Sequence, residues 1–186
     1  MAASGGDRGA DVWNSIEEWT YLKPIMLTIK GATDADWPTI WHLFREVAVA
    51  GDAFAYDAET PEEIAHKLWF EAPARAFVAE LDGRVVGTYY VRPNQPGRGA
   101  HVANAGYIVA DDARGHGIAS ALCAHSLDTA RQLGFQAMQF NFVVSTNVAA
   151  RRVWEKHGFA IVGRLPRAFR HAILGFVDVL VLHREL

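Results

Sequence analysis

The sequence predicts a single mixed α/β domain, and three observations carry that expectation. Runs of alternating apolar residues recur along the chain at strand spacing. Between them lie segments whose apolar residues repeat at helical spacing. Their order is β-α-α-β-β-β-α-β-α-β-β, with no internal repeat and no linker to divide it. At 186 residues the chain suits one domain large enough to bury a core.

The elements follow in order. Residues 1–11 are small, glycine-rich and polar, and read as a disordered tail. Residues 12–24 carry Trp13, Ile16, Trp19 and Tyr21, an aromatic extension that must pack on the body or on a neighbouring subunit. The domain proper is expected over 25–186. Ile25 to Ile29 alternates as a first strand, and Thr33 or Asp34 can cap a helix with Pro38 in its first turn. Trp37, Ile40, Trp41, Phe44, Val47 and Ala48 share one face of that helix, which Gly51 ends. Thr60 to Glu63 opens a second, short helix through Phe70.

A meander follows, with a strand at Phe77 to Leu81, the hairpin signal Asp82-Gly83, and a return strand at Val85 to Arg92. His101 to Val109 is a further strand, in which Gly106 marks a bulge or a close approach. A long helix starting at Gly115 places Ile118, Leu122, Cys123, Ser126 and Ala130 on one stripe, so Cys123 is expected to be a buried structural thiol. Met138, Phe140, Phe142 and Val144 alternate on the next strand. Asn147 caps a helix ended by Gly158, Phe159 to Leu165 is a strand, Pro166 to Gly175 a loop, and Val177 to Leu182 the last strand. That makes about seven strands.

Composition removes several classes of function. The net charge of −3 gives no basic footprint for nucleic acid. No apolar run approaches the ~20 residues of a membrane span, and the N-terminus lacks the apolar core of a signal peptide. With a single cysteine, an intrachain disulfide is excluded, and a cytoplasmic protein is expected. The eight histidines are scattered without metal-ligand spacing, so no metal is expected.

The most informative stretch is Tyr107 to Ala119, a strand, an Arg-Gly-His-Gly loop and a helix start. Free amides and the partial positive charge of a helix N-terminus attract phosphate, and glycines at 115 and 117 let the backbone come close. A dinucleotide fingerprint fails, because Ser120 occupies the third glycine position and no acid ends the following strand. A Walker loop fails for want of Gly-Lys-Ser/Thr.

Arg114-Gly-His-Gly-Ile-Ala119 instead resembles the acyl-CoA signature of the GNAT N-acetyltransferase superfamily, Arg/Gln-x-x-Gly-x-Gly/Ala. Tyr107-Ile-Val109, Asn147-Val-Ala-Ala150 and Gly158-Phe159 match the family's other blocks, and the resemblance covers about residues 25–186. It implies a mostly antiparallel sheet with helices on both faces and two splayed central strands. It implies acetyl-CoA as co-substrate, with Arg114, Gly115, His116, Gly117, Ile118 and Ala119 at the pyrophosphate, Ile108 and Val109 along the pantetheine arm, and Asn147 near the thioester. The Val109 amide would face the oxyanion.

The chain departs from the family pattern where a Glu base and a Tyr acid are common, at Asn104 and Trp154. Neither replacement transfers a proton. Asn104 and Asn141 are expected to face one cleft, where they orient an amine or bind a carboxylate with water carrying the proton, or else satisfy backbone groups. Together with Asn141 to Asn147 and Leu165 to Phe169, they are similar to fungal acetyltransferases of cyclic secondary amino acids such as azetidine-2-carboxylate. Acceptor residues in this family come from two loops, which here hold Tyr56 and Asp57, and Arg167 and His171. The sequence thus leads to an N-acetyltransferase of a small amine or amino acid, acting by direct attack in a ternary complex. A protein N-terminal or lysine acetyltransferase and a non-catalytic acyl-CoA-binding module are the alternatives, and a homodimer is a further expectation.

Overall fold

The structure is a computed structural model that describes Met1 and residues 26–186. The aromatic extension at 12–24 lies outside the described residues, as does the expected tail apart from Met1. Seven strands form one sheet: β1 (Leu27–Gly31), β2 (Arg75–Leu81), β3 (Arg84–Pro93), β4 (Val102–Val109), β5 (Ala137–Val144), β6 (Ala160–His171) and β7 (Gly175–Glu185). Four helices accompany them: α1 (Trp37–Ala50), α2 (Glu62–Phe70), α3 (Ile118–Gln132) and α4 (Val148–Lys156). The sheet order is β1-β2-β3-β4-β5-β7-β6. The β4–β5 pair is parallel and its neighbours are antiparallel.

Successive residues of β3 point to opposite faces, and each finds a helix there. Tyr90 meets Trp69 of α2 edge-on at 5.1 Å, and Trp69 Nε1 donates to Thr88 at 2.9 Å. Tyr89, on the other face, bonds His125 and Thr129 of α3 at 2.7 and 3.1 Å. The core therefore has two layers, one beneath α1 and α2 and one beneath α3 and α4. Ile40, Phe44 and Trp69 fill the first, and Leu122, Cys123 and Met138 the second, all essentially without exposure. Complete burial of a side chain such as Ile40 contributes about 1.5–3 kcal/mol.

Three local expectations need correction. The helix α3 begins at Ile118 rather than Gly115, because Gly115 and Gly117 have φ of +83° and +77°, outside the helical region. The supposed loop from Pro166 to Gly175 is mostly strand. The strand β6 continues to His171 and turns at Ala172–Leu174, with a register shift between Leu165 and Phe169. A proline fits there because β6 is an edge strand, whose outer N–H groups have no ladder partner to lose. On β5, Phe142 leaves the buried alternation and is 39% exposed, since the β5–β7 register shifts between Phe140 and Val143. By contrast, the ladder passes through Tyr90↔Gly106 without a shift. Gly106 is a close-approach point: a Cβ there would lie 2.6 Å from the Tyr90 ring.

Candidate active site

The site grows out of the place where β4 and β5 part. The two strands pair only at Val102↔Ala137 and Ala103↔Met138. Just beyond, the Asn104 side chain donates to the Gln139 carbonyl at 2.8 Å, filling the gap that a backbone N–H would otherwise close. The amide chain continues along β5, from Gln139 Nε2 to Asn141 Oδ1 at 2.8 Å and from Asn141 Nδ2 to Asn94 Oδ1 at 2.6 Å.

The phase of the β3–β4 ladder decides which backbone groups face the gap. Ala110 N–H donates to Val86 C=O at 2.8 Å, and alternate residues of an antiparallel strand turn toward the same partner. Gly106 and Ile108 therefore direct their N–H and C=O groups to β3, while Ala105, Tyr107 and Val109 aim theirs into the cleft. The backbone of Val109 thus faces the cleft, whereas that of Ile108 pairs with β3 and its neighbour Tyr107 presents the free edge.

At the upper end of the cleft lies the Arg114–Gly117 loop. The first intrahelical bond of α3 runs from Ala121 N–H to Gly117 C=O, leaving the amides of Ile118, Ala119 and Ser120 without helical acceptors. The Cβ directions of Gly115 and Gly117 meet open space within 4 Å. Arg114 stays beside the loop through an ion pair with Asp111 at 2.6 Å. Across the cleft, Asn147 caps α4 by accepting from Ala150 N–H at 3.0 Å.

The resulting cleft is about 830 Å³ and brings together most of the residues singled out from the sequence. Asn104, Asn141, Asn147, Ile108, Val109, Arg114, Gly115, Gly117, Ile118, Ala119, Tyr56 and His171 all line it. Three others do not. His116 folds back on its loop, with Nδ1 3.3 Å from the Ala113 carbonyl and 3.1 Å from that of Arg114. Asp57 lies in an adjoining cavity of about 400 Å³ that Arg170 also lines. Arg167 turns away: its N–H donates to Asp178 Oδ1 at 2.8 Å and its guanidinium sits over the Phe176 ring.

Sequence reasoning overlooked Asp52, Tyr90, Ser120 and Phe142, which also line the cleft. Only Tyr90 had a signal, in the strand glycine at 106 that its ring requires. Trp154 is packed against Tyr107 and Phe140 at 4.7 and 4.9 Å. Cys123 is fully buried, and burial pushes its thiol up to about 12, so it stays protonated and unreactive. Among the described residues no group of three metal-ligating side chains gathers.

A splayed parallel pair beside a glycine loop at a helix start can be compared with known proteins. The profile of the acetyltransferase (GNAT) family matches residues 37–159, more than half of the chain. The chain belongs to the GNAT family. A solved GCN5-related N-acetyltransferase from Kribbella flavida shares 45% identity and a TM-score of 0.82, covering 86% of this chain and 98% of that one. A phosphinothricin acetyltransferase from Sinorhizobium meliloti, solved with acetyl-CoA, shares the fold at 20% identity, with a TM-score of 0.77 over 86% of this chain and 88% of its own. The N-acetyltransferase aca1 of Schizosaccharomyces pombe is 35% identical over 98 residues, 52% of this chain. The match spans 47% of that relative's length, about half.

Members of the GNAT family are acyl-CoA-dependent acyltransferases that use acetyl-CoA. The cleft suits that donor. The free amides of Ile118 to Ser120 and the open space above Gly115 and Gly117 match a pyrophosphate. The unpaired backbone edge at Ala105, Tyr107 and Val109 matches an amide-bearing arm. No helix among the described residues is long and apolar enough to cross a membrane.

Proposed function

We propose that the enzyme transfers the acetyl group of acetyl-CoA to the amine of a small molecule, an amino acid or a related amine, by direct attack in a ternary complex. The observation that carries this reading is the closure of the acceptor side. The β6–β7 tip meets the end of α1, where Ala172 N–H donates to Gly51 C=O at 2.9 Å and a Cβ at Gly51 would lie 3.0 Å from that of Ala172. Phe54 and Tyr56 from one segment and His171 and Leu174 from the other then bound the cleft. A chamber walled in this way favours a small acceptor over a protein chain.

The roles follow from position. Backbone amides at the start of α3 hold the diphosphate, and the edge of β4 aligns the arm. The Val109 amide donates to the developing oxyanion, the kind of contact that contributes most to acyl transfer. Asn141, held between Gln139 and Asn94, presents a fixed amide to the acceptor, with Tyr56 and His171 opposite. Asn104 holds the strands apart. The inert Cys123 leaves direct attack as the simplest course.

Incubation with acetyl-CoA and a panel of amino acids, cyclic imino acids, simple amines and short peptides, followed by free-thiol release, tests the proposal. Release with a small amine and not with peptides is expected. Release with peptides alone would shift the assignment to a protein acceptor, and none with any amine would remove the acetyl-transfer reading.

A further inference from the structure

Three buried or half-buried tyrosines stand on the central strands, and two of them are already committed. The Tyr89 hydroxyl bonds His125 and Thr129, and that of Tyr107 bonds Ser126 at 2.7 Å. Both lie on the α3 face of the sheet. Tyr90 is different: it lies on the opposite face, lines the cleft, and its hydroxyl has no hydrogen-bond partner among the described residues.

Its ring is held firmly. Trp69 packs edge-on against it at 5.1 Å, and the Arg92 guanidinium lies 5.3 Å from its centroid. The far end of the ring crosses β4 above Gly106. A Cβ on Gly106 would fall 2.9 Å from Cζ and 3.0 Å from the hydroxyl oxygen. The residues flanking Gly106, Ala105 and Tyr107, are those whose backbone groups face the splay. The phenol therefore emerges beside the strand edge that receives the donor, on the side walled by the α1–α2 segment. On β4 the nearest polar side chain is the amide of Asn104, and Trp154 of α4 packs on Tyr107, whereas the carboxylate of Asp52 and the imidazole of His171 reach the cleft from its outer segments.

We propose that Tyr90 is a catalytic residue of this cleft, its hydroxyl relaying the proton from the attacking amine to the departing sulfur. The inference rests on the acetyl-transfer reading above. As the neutral amine nitrogen bonds the acyl carbon, the carbon–sulfur bond breaks and its electron pair leaves with sulfur. One N–H proton passes to the phenol oxygen while the phenol's own proton passes to sulfur. The products are an amide and a thiol, and Tyr90 ends as it began. Burial, reinforced by the neighbouring Tyr56 and opposed by Arg92, pushes the phenol up to about 12. It is therefore protonated at neutral pH, which a relay needs and a simple base does not tolerate.

Tyr90→Phe removes the hydroxyl and keeps the ring packed between Trp69 and Gly106. With the best amine of the panel, kcat is expected to fall about 100-fold, while the calorimetric Kd for acetyl-CoA changes by less than about twofold. A second readout needs no turnover. In fluorotyrosine-labelled protein, the fluorine resonance missing from Tyr90→Phe identifies Tyr90 among the five tyrosines. That resonance should shift on adding CoA and shift less with desulfo-CoA, which lacks the sulfur. An unchanged kcat in Tyr90→Phe, or a resonance indifferent to CoA, would overturn the role while leaving acetyl transfer intact. Wild-type protein that acetylates no amine would remove both.

Discussion

The side-chain amide of Asn104 donates to the main-chain carbonyl of Gln139 at 2.8 Å, at the point where β4 and β5 stop pairing. The Asn104 amide thus bridges the two strands where their own ladder ends. Asn104→Ala leaves the carbonyl without its partner and should cost about 1–2 kcal/mol of stability. It should weaken acetyl-CoA binding as well, because the splay loses its fixed width. Thermal denaturation and calorimetry check both, and an unchanged melting temperature would return Asn104 to a purely chemical role.

Gly106 sits beneath the Tyr90 ring, so Gly106→Ala forces an aromatic side chain held by Trp69 to move. A loss of about 2 kcal/mol is expected from this overpacking. In a Tyr90→Leu background the same substitution should cost less than about 0.5 kcal/mol, giving a coupling measurable by denaturant titration.

Gly117 combines a left-handed backbone with a position facing the cleft. Gly117→Asp adds strain and puts a carboxylate where the diphosphate is expected. Affinity for CoA should fall about 100-fold or more. Gly115→Ala, strained but uncharged, should fall much less. Equal affinity of Gly117→Asp and wild type for CoA by calorimetry would place the phosphates elsewhere.

Asp178 holds the β6 irregularity, accepting from the Arg167 N–H and from Arg164, and these bonds keep its carboxyl below the usual value. A carboxyl lowered in the folded state contributes stability above its unfolded pKa and loses it as pH falls through the folded pKa. Asp178→Asn should therefore melt below wild type near neutral pH, with the gap closing as acid protonates Asp178. A gap that stayed constant down to the acid limit would refute the assignment.

The elements legible in advance were those written in local pattern. Apolar spacing marks α1 and α3, Asp82-Gly83 marks the first hairpin, and the glycines at 115 and 117 mark the loop that opens α3. The illegible parts depend on partners distant in sequence. Pro166 reads as a loop until β6 is known to be an edge strand, and Phe142 reads as core until its register slips against β7. The distinction between Ile108 and its neighbours is a matter of ladder phase, which no single strand reveals. Arg167 and Arg170 look equivalent in sequence, yet only Arg170 faces a cavity beside the cleft.

The backbone groups of the proposed donor seat come from one continuous stretch, Ala105 to Ser120, whereas the proposed acceptor wall joins the segment after α1 to the β6–β7 tip through the Ala172–Gly51 bond. Insertions or deletions in either of those outer segments change what the chamber admits without disturbing the coenzyme seat. Acceptor preference can therefore drift among descendants of this chain while the donor stays fixed, and the length of these two segments offers a handle for redirecting the enzyme toward new amines.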